Sequence, residues 1–152
     1  MYTLQVLSEA YDAWADGDLP ALLELVADDI VFAVNVPARV DSYVGNGCGK
    51  GLFADRLARL LDDYEVAAFT PRWIKPRGPL WRSAHVSYCY KARGGTGLEC
   101  DGTMRHHWRV VDRKIVHLEL LIDAARMDAF RRLTQAERNG DGSGGARWAV
   151  RC

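Results

Sequence analysis

The strongest constraint on the fold is a regular alternation of apolar and polar residues through the second half of the chain. Three stretches carry it: LWRSAHVSYCYKA (80–92), LECDGTMRHHWRVV (98–111) and IVHLELLID (115–123). A period of two residues is that of a β-strand with one face turned to the core. The segments RGGTG and DRK between them are typical of tight turns. We therefore predict an antiparallel meander of three strands.

The same alternation assigns side chains to the two faces of each predicted strand. In the first strand, the core face carries Ala84, Val86, Tyr88 and Tyr90. In the second strand, one face carries Met104, His106, Trp108 and Val110, and the other carries Thr103, Arg105, His107 and Arg109. Successive side chains of a strand point to opposite faces, so each histidine of the pair His106 and His107 belongs to a different surface.

The first half of the chain shows helical spacing instead. A first helix of about 13 residues is predicted by an apolar stripe made of Leu4, Leu7, Tyr11 and Trp14. Gly17 can end this helix, and Asp18 can cap a second one that carries Pro20 in its first turn. From the second helix we expect three residues to face the core, namely Leu22, Leu23 and Val26.

A strand, a loop and a third helix are predicted next. The segment IVFAVNV (30–36) is β-branched and apolar, as strands are, and the glycine-rich segment 37–51 is predicted to be a loop. The third helix has an apolar face formed by Phe53, Leu57, Leu60 and Tyr64. The strand predicted over 66–75 contains Pro71, which indicates a bulge or a sheet edge. A short helix over 124–133 closes the domain.

This order of elements predicts an α+β fold over residues 1–133, with a strongly curved, mixed or antiparallel sheet wrapped around three N-terminal helices. Such a sheet would leave a cone-shaped cavity. Residues 134–152 are polar and rich in glycine, which predicts a flexible C-terminal tail.

Charge and composition exclude several classes of function. Twenty Lys and Arg residues balance twenty Asp and Glu residues, and no long run has a single sign, so we expect neither nucleic acid nor a membrane surface as partner. The N-terminus lacks a signal-peptide pattern, and no apolar run approaches the roughly 20 residues that span a bilayer. We therefore expect a cytoplasmic protein. Its four cysteines match no zinc pattern and are expected to be free thiols, with a Cys89–Cys100 bridge as the alternative.

Three segments resemble the nuclear-transport-factor-two-like superfamily, which includes ketosteroid isomerase, limonene epoxide hydrolase and the SnoaL-like polyketide cyclases. They are YDAWADGDLPALLELVADDIVF (11–32), GNGCGKGLFADRL (45–57) and HHWRVVDRKIVHLELLIDAA (106–125). The resemblance implies a cone-shaped α+β barrel of the cystatin-like kind, with a hydrophobic pocket for a small apolar or aromatic molecule. It also implies a homodimer formed through the sheet. Because one scaffold of this kind hosts many functions, the resemblance implies the fold more strongly than any reaction.

The resemblance also implies two catalytic positions. Val34 aligns with the general-base aspartate of ketosteroid isomerase, and because valine cannot take up a proton, steroid-type isomerisation is disfavoured. Asp123 aligns with an acid–base aspartate that ends the last long strand of the cyclases and of limonene epoxide hydrolase. The residues leave an alternative open, because Asp123 shares its strand face with His117 and Glu119, away from the core, and can cap the following helix.

His106 is the second catalytic candidate. It lies between Met104 and Trp108 on the apolar face, where an imidazole could shuttle protons or orient a ligand carbonyl. The alternative is a core histidine that is hydrogen-bonded to a tyrosine. Because the side chains of His106 and His107 diverge, we predict no metal site.

A group of mostly aromatic residues is predicted to line the pocket and bind substrate. Its members are Trp14, Asn35, Tyr43, Phe53, Leu57, Trp73, Tyr88, Tyr90 and Trp108. The glycine-rich segment matches no phosphate-binding loop, so no cofactor is expected. Two functions remain open. One is a cofactor-free isomerase, cyclase, dehydratase or hydrolase that uses acid–base catalysis, and the other is a non-catalytic module for ligand binding or dimerisation.

Overall fold

The computed structural model describes residues 2–35, 43–95 and 97–138, which form an α+β fold. Its helices are α1 (Tyr2–Ala15), α2 (Leu19–Glu24), α3 (Lys50–Asp63) and α4 (Ala124–Arg138). Its strands are β1 (Val26–Val34), β2 (Gly47–Cys48), β3 (Tyr64–Arg77), β4 (Trp81–Ala92), β5 (Glu99–Val111) and β6 (Lys114–Leu121).

The six strands form one curved, open sheet in the order β2-β1-β6-β5-β4-β3. The pair β1–β6 is parallel, and the other neighbouring pairs are antiparallel. The helices pack against the inner face of the sheet, which gives the predicted cone-shaped arrangement. Strand β3 is an edge strand with a register shift between Pro71 and Trp73, which confirms the expectation drawn from Pro71.

The predicted faces of the meander are confirmed. Ala84, Val86, Tyr88 and Tyr90 are buried on β4, and Met104, His106 and Trp108 are buried on β5. His107 is the exception, because it points to the outer face of the sheet and is nevertheless only 9% exposed.

Strand β6 contains a bulge that simple alternation did not predict. Arg109 pairs with His117 while the next residue, Val110, pairs with Ile115, so that Val116 is an extra residue. A bulge of this kind switches the face on which the following residues lie. Ile115 and Leu118 are therefore both buried.

Two details of the predicted helical hairpin are corrected. Leu4 is 48% exposed, because the buried face of α1 runs through Val6, Leu7 and Ala10 instead. Helix α2 begins as predicted, with the Asp18 side chain accepting a hydrogen bond from the Ala21 amide, but it ends at Glu24. Val26 is buried in β1 rather than in the helix, because β1 pairs with β6 from Val26 onward.

The predicted boundary between domain and tail lies inside α4. The helix continues to Arg138, and Thr134 is only 2% exposed, with its hydroxyl 3.0 Å from the Tyr64 hydroxyl as a hydrogen-bond partner. Residues 139–152 of the predicted tail, and 36–42 of the predicted strand and loop, lie outside the described residues. In the part of the chain that is described, no helix combines the length and the apolar character needed to cross a bilayer.

Candidate functional site

An interior cavity of about 130 Å³ lies between the helices and the inner face of the sheet. Helix α1 contributes its buried face, α3 closes one side, and α4 contributes Met127, Phe130 and Arg131. The wall is mostly apolar and aromatic, and includes Ala10, Tyr11, Trp14, Phe53, Leu57, Tyr90, Met104, His106 and Trp108. A mostly apolar wall with a few convergent polar groups is typical of small-molecule sites.

In this wall, the hydroxyl group of Tyr11 is hydrogen-bonded to two other aromatic side chains, Trp108 and His106. The indole Nε1 of Trp108 donates to the Tyr11 hydroxyl at 2.7 Å, and the same hydroxyl lies 2.9 Å from Nδ1 of His106. Indole N–H can only donate, so the Tyr11 oxygen accepts from Trp108 and its own proton is left for His106. The three rings also pack on one another, with the Tyr11 and His106 rings nearly parallel at a centroid distance of 5.7 Å.

We assign the tautomer of His106 from this network. With Nδ1 taken as the acceptor of the Tyr11 hydroxyl proton, the proton of the neutral imidazole is assigned to Nε2, which lies 3.0 Å from the Met104 sulfur. Burial lowers the pKa of His106 to about 3, with a smaller contribution from the nearby charge of His107. His106 is therefore a neutral imidazole near pH 7, with an Nε2–H donor whose partner, a thioether, is a weak acceptor.

A second pair of polar groups lies in the same wall. The indole Nε1 of Trp14 donates to the Tyr90 hydroxyl at 3.0 Å, so that the hydroxyl serves as an acceptor and keeps its own proton for donation. Burial raises the pKa of Tyr90 far above its usual range, which keeps the phenol protonated. Tyr90 and His106 therefore both present hydrogen-bond donors beside the cavity.

Solved structures with this arrangement of elements share little sequence with the chain. An NTF2-like protein of unknown function from Burkholderia pseudomallei superposes with a TM-score of 0.69 at 20% identity, over 84% of this chain and 95% of that one. The chain has the nuclear-transport-factor-two-like fold. No protein-family model matches the sequence, and no curated protein matches it significantly.

Two further structures with this nuclear-transport-factor-two-like fold have names that suggest enzymes. One, from Xanthomonas campestris pv. campestris, is a polyketide cyclase by provisional assignment, with a TM-score of 0.67, 19% identity and coverage of 84% of this chain and 95% of that one. The other is an LEH-like epoxide hydrolase from Mycobacterium tuberculosis, with a TM-score of 0.67, 14% identity and coverage of 86% and 87%. At these identities the likeness shows the fold alone.

Most of the residues predicted to bind substrate border the cavity. They are Trp14, Tyr43, Phe53, Leu57, Tyr90 and Trp108, together with the catalytic candidate His106. Tyr43 is held in place by a hydrogen bond from its hydroxyl to Asp63 at 2.5 Å, and burial, reinforced by that carboxylate, raises the pKa of Tyr43 well above its usual range.

Three other predicted binding residues lie elsewhere. Tyr88 is buried behind the cavity wall, where its hydroxyl donates to the Met127 sulfur at 3.4 Å. Asn35 is exposed just after β1. Trp73 lies on the outer face of the sheet, where the charged end of Lys75 stands 4.8 Å from its ring centroid. Tyr88 therefore has the predicted face but does not border the cavity, whereas Asn35 and Trp73 do not face it.

Asp123 lies at the start of α4 and not beside His106. Its Oδ1 accepts a hydrogen bond from the Arg126 amide at 3.1 Å, which is the geometry of a helix N-cap, and its side chain is exposed. The described residues that line the cavity include His106 but not Asp123. The structure therefore does not bring the two catalytic candidates together, and the catalytic role of Asp123 stays a prediction.

Sequence reasoning overlooked Tyr11 as a site residue. Its spacing predicts a place in the core stripe of α1, and the structure puts it both in that stripe and at the centre of the hydrogen-bond network. A usable signal was present, because a buried tyrosine needs a partner for its hydroxyl. Among the described residues, no group of three or more histidine, cysteine or acidic side chains could hold a metal ion.

Proposed function

We propose that this protein binds a small, largely apolar molecule in the interior cavity. The observation that carries the proposal is the wall itself: it is mostly apolar, and its buried tyrosine, tryptophan and histidine groups are hydrogen-bonded to one another. We expect such a cavity to bind a strongly hydrated ligand weakly and an apolar ligand more tightly, because burial of apolar surface is favourable.

The volume of the cavity suggests the size of the ligand. An engineered apolar cavity of about 150 Å³ binds benzene, and the cavity of this protein measures about 130 Å³. A single aromatic ring with a short substituent is therefore the expected occupant. The indole rings of Trp14 and Trp108 and the ring of Phe69 offer surfaces against which such a ring can pack.

The two donors beside the cavity suggest the polar group of the ligand. The Nε2–H of His106 has a thioether as its partner, so a ligand oxygen would be a stronger acceptor. The Tyr90 hydroxyl is a second donor in the same wall. A ketone, an aldehyde or an ether oxygen attached to the ring would provide an acceptor for such donors.

Binding is favoured over acid–base catalysis by the composition of the wall. Among the described residues that line the cavity, none is an aspartate or a glutamate, and His106 stays neutral with its Nδ1 occupied by Tyr11. The second candidate function is the cofactor-free acid–base chemistry predicted for Asp123 and His106. The names of the fold neighbours, which include a polyketide cyclase and an epoxide hydrolase, favour it.

The proposal is tested by calorimetric titration with acetophenone and ethylbenzene, which have similar shapes. We expect both to bind the unmodified protein, and the substitution Ala10→Leu, which adds volume to the cavity wall, to weaken both at least tenfold. Ala129→Leu makes the same change at an exposed position of α4 and serves as the matched control. Binding that survives Ala10→Leu would exclude the cavity as the site.

The same titrations test the role of His106. In His106→Phe, the ratio of acetophenone affinity to ethylbenzene affinity should fall about fivefold, which corresponds to the loss of one hydrogen bond of about 1 kcal/mol. Use of the ratio cancels any general loss of stability. An unchanged ratio would show that His106 does not donate a hydrogen bond to the ligand oxygen.

Two expectations about the whole protein stay predictions. One is a cytoplasmic location. The other is a homodimer formed through the outer face of the sheet.

A further inference from the structure

The outer face of the sheet, on the opposite side from the cavity, gathers basic side chains from neighbouring strands. Cross-strand register aligns Trp81, Arg109 and His117 in one row and Ser83, His107 and Glu119 in the next. Arg77 pairs with Trp81 from β3, and Arg105 follows on the same face of β5. Together these strands form an outer-face cluster, which consists of Arg77, Arg105, His107, Arg109 and Glu119.

Two nitrogen atoms of this cluster lack a partner. Within the described residues, the buried side-chain nitrogen and oxygen atoms without a hydrogen bond are His107 Nδ1 and Arg109 Nε. The two residues are two positions apart on β5 and therefore share a face of the strand. A buried polar atom without a partner is costly, so two side by side point to a group that is missing from the isolated chain.

The electrostatic surroundings indicate the sign of that group. The pKa of His107 is lowered, first by burial and then by the charge of Arg77, with Glu119 opposing and Arg105 adding to the effect. Lys75 and His85 flank the cluster from β3 and β4, and His117 on β6 lies 3.5 Å from the Glu119 carboxylate. The cluster therefore carries a positive potential around one carboxylate, which is itself close to a histidine.

We propose that the outer-face cluster binds a small oxyanion, a phosphate or carboxylate group, between His107 and Arg109. The Nε–H of Arg109 is a permanent donor, and Nδ1 of His107 becomes one when the imidazole carries a proton there. Each donor meets an oxygen of the same anion. Arg77 and Arg105 supply the compensating charge, as in other sites that recognise phosphate and carboxylate groups.

An anion reaches these two atoms only when neighbouring side chains move. Both atoms are shielded from water, whereas Arg77 and Arg105 are exposed overall. Long arginine side chains can swing away and then bind the remaining oxygens of the anion. Trp81 and His117 are the cross-strand neighbours of Arg109, and their rings pack edge-on at a centroid distance of 4.7 Å. Their contact over Arg109 restricts the site to a compact group.

The experiment follows the histidine signals of the protein by NMR during titration with inorganic phosphate and, separately, with succinate. The chain has only four histidines, and a His107→Gln variant assigns the signal of interest. We expect the His107 signals to shift to saturation and the pKa of His107 to rise when the anion is bound. The stronger of the two ligands identifies the group as a phosphate or a carboxylate.

Variants separate a site from a general charge effect. Arg109→Gln should weaken phosphate binding at least about tenfold, because a charge-assisted hydrogen bond is lost. Arg132→Gln removes an equal charge from α4, where Arg132 pairs with Asp128 at 3.0 Å, and should leave the affinity unchanged. If Arg109→Gln does not fold, the exposed Arg77→Gln variant provides the same comparison.

Two results would overturn the proposal. The first is a set of His107 signals that do not respond to either anion, which would mean that the unpartnered atoms find their partners in the second copy of the predicted homodimer. The second is a short oligothymidylate that binds far more tightly than phosphate and perturbs Trp73 and Trp81, which would make the occupant a nucleic-acid strand. The cavity titrations with acetophenone are independent of both results.

Discussion

At the scale of single residues, the Tyr11 hydroxyl is the most connected polar group of the candidate site. It accepts from Trp108 and donates to His106, and all three side chains are buried. Tyr11→Phe therefore leaves two buried polar atoms without a partner, at a cost of about 1–3 kcal/mol for each. The expected loss in the free energy of unfolding is about 2–6 kcal/mol, measured by urea denaturation monitored by circular dichroism.

Tyr90→Phe is the matched comparison for this prediction. It removes the same atom from the same cavity wall but leaves only Trp14 Nε1 without a partner, so it should cost roughly half as much. Equal losses for the two variants would contradict the assignment of two hydrogen bonds to the Tyr11 hydroxyl.

At the scale of elements, α4 depends on Asp123 for its first turn. The helix supplies Met127 and Phe130 to the cavity wall, and the hydrogen bond from the Arg126 amide to Asp123 caps its start. Asp123→Ala should lower the free energy of unfolding by about 1 kcal/mol, whereas Asp123→Asn keeps the cap and should cost little. Thermal and urea denaturation of the two variants measure this difference.

Asp18→Ala, which removes the corresponding cap of α2, is the control for the size of a capping effect. The pair of Asp123 variants also separates the two predicted roles of this residue. If Asp123→Asn is as unstable as Asp123→Ala, the carboxylate does more than cap the helix. If a substrate is found and Asp123→Asn abolishes its turnover at unchanged stability, the catalytic prediction is confirmed.

The strands of the meander were predictable because alternation is a local property of the sequence. Whether Val86 or Ser87 faces the core follows from a period of two, and the structure agrees. The bulge at Val116 was not predictable in the same way, because it arises from the pairing of β6 with both β5 and β1. The end of α2 also depends on strand pairing, since β1 pairs with β6 from Val26 onward.

The candidate site was only half predictable for a related reason. The face on which His106 lies follows from its own strand, but its partner Tyr11 is 95 positions away in the sequence. Asp123 was ambiguous because a residue after a strand can either cap a helix or enter a pocket, and local sequence does not separate these outcomes. The outer-face cluster was also only partly predictable. Alternation places Arg105, His107 and Arg109 on one face of β5, but Arg77 and Glu119 join them only through strand pairing.

At the scale of the whole molecule, the burial of His106 links the stability of the fold to pH. The folded protein keeps this imidazole neutral down to about pH 3, whereas an unfolded chain protonates it near pH 6.5. Between these values the unfolded state binds more protons, so the free energy of unfolding decreases as the pH falls. The contribution of His106 to the free energy of unfolding is fully present above about pH 6.5 and is lost toward pH 3. Its slope is up to about 1.4 kcal/mol per pH unit.

His106→Gln isolates this contribution, because glutamine can still accept a hydrogen bond from Tyr11 but does not titrate. Urea denaturation of both proteins at several pH values between 7 and 4 gives two curves of stability against pH. We expect the advantage of the unmodified protein to shrink steadily as the pH is lowered, since only its unfolded state gains a proton at position 106. Parallel curves would mean that His106 is protonated in the folded state. The proposed hydrogen bond from the neutral Nε2–H group to a ligand would then be wrong.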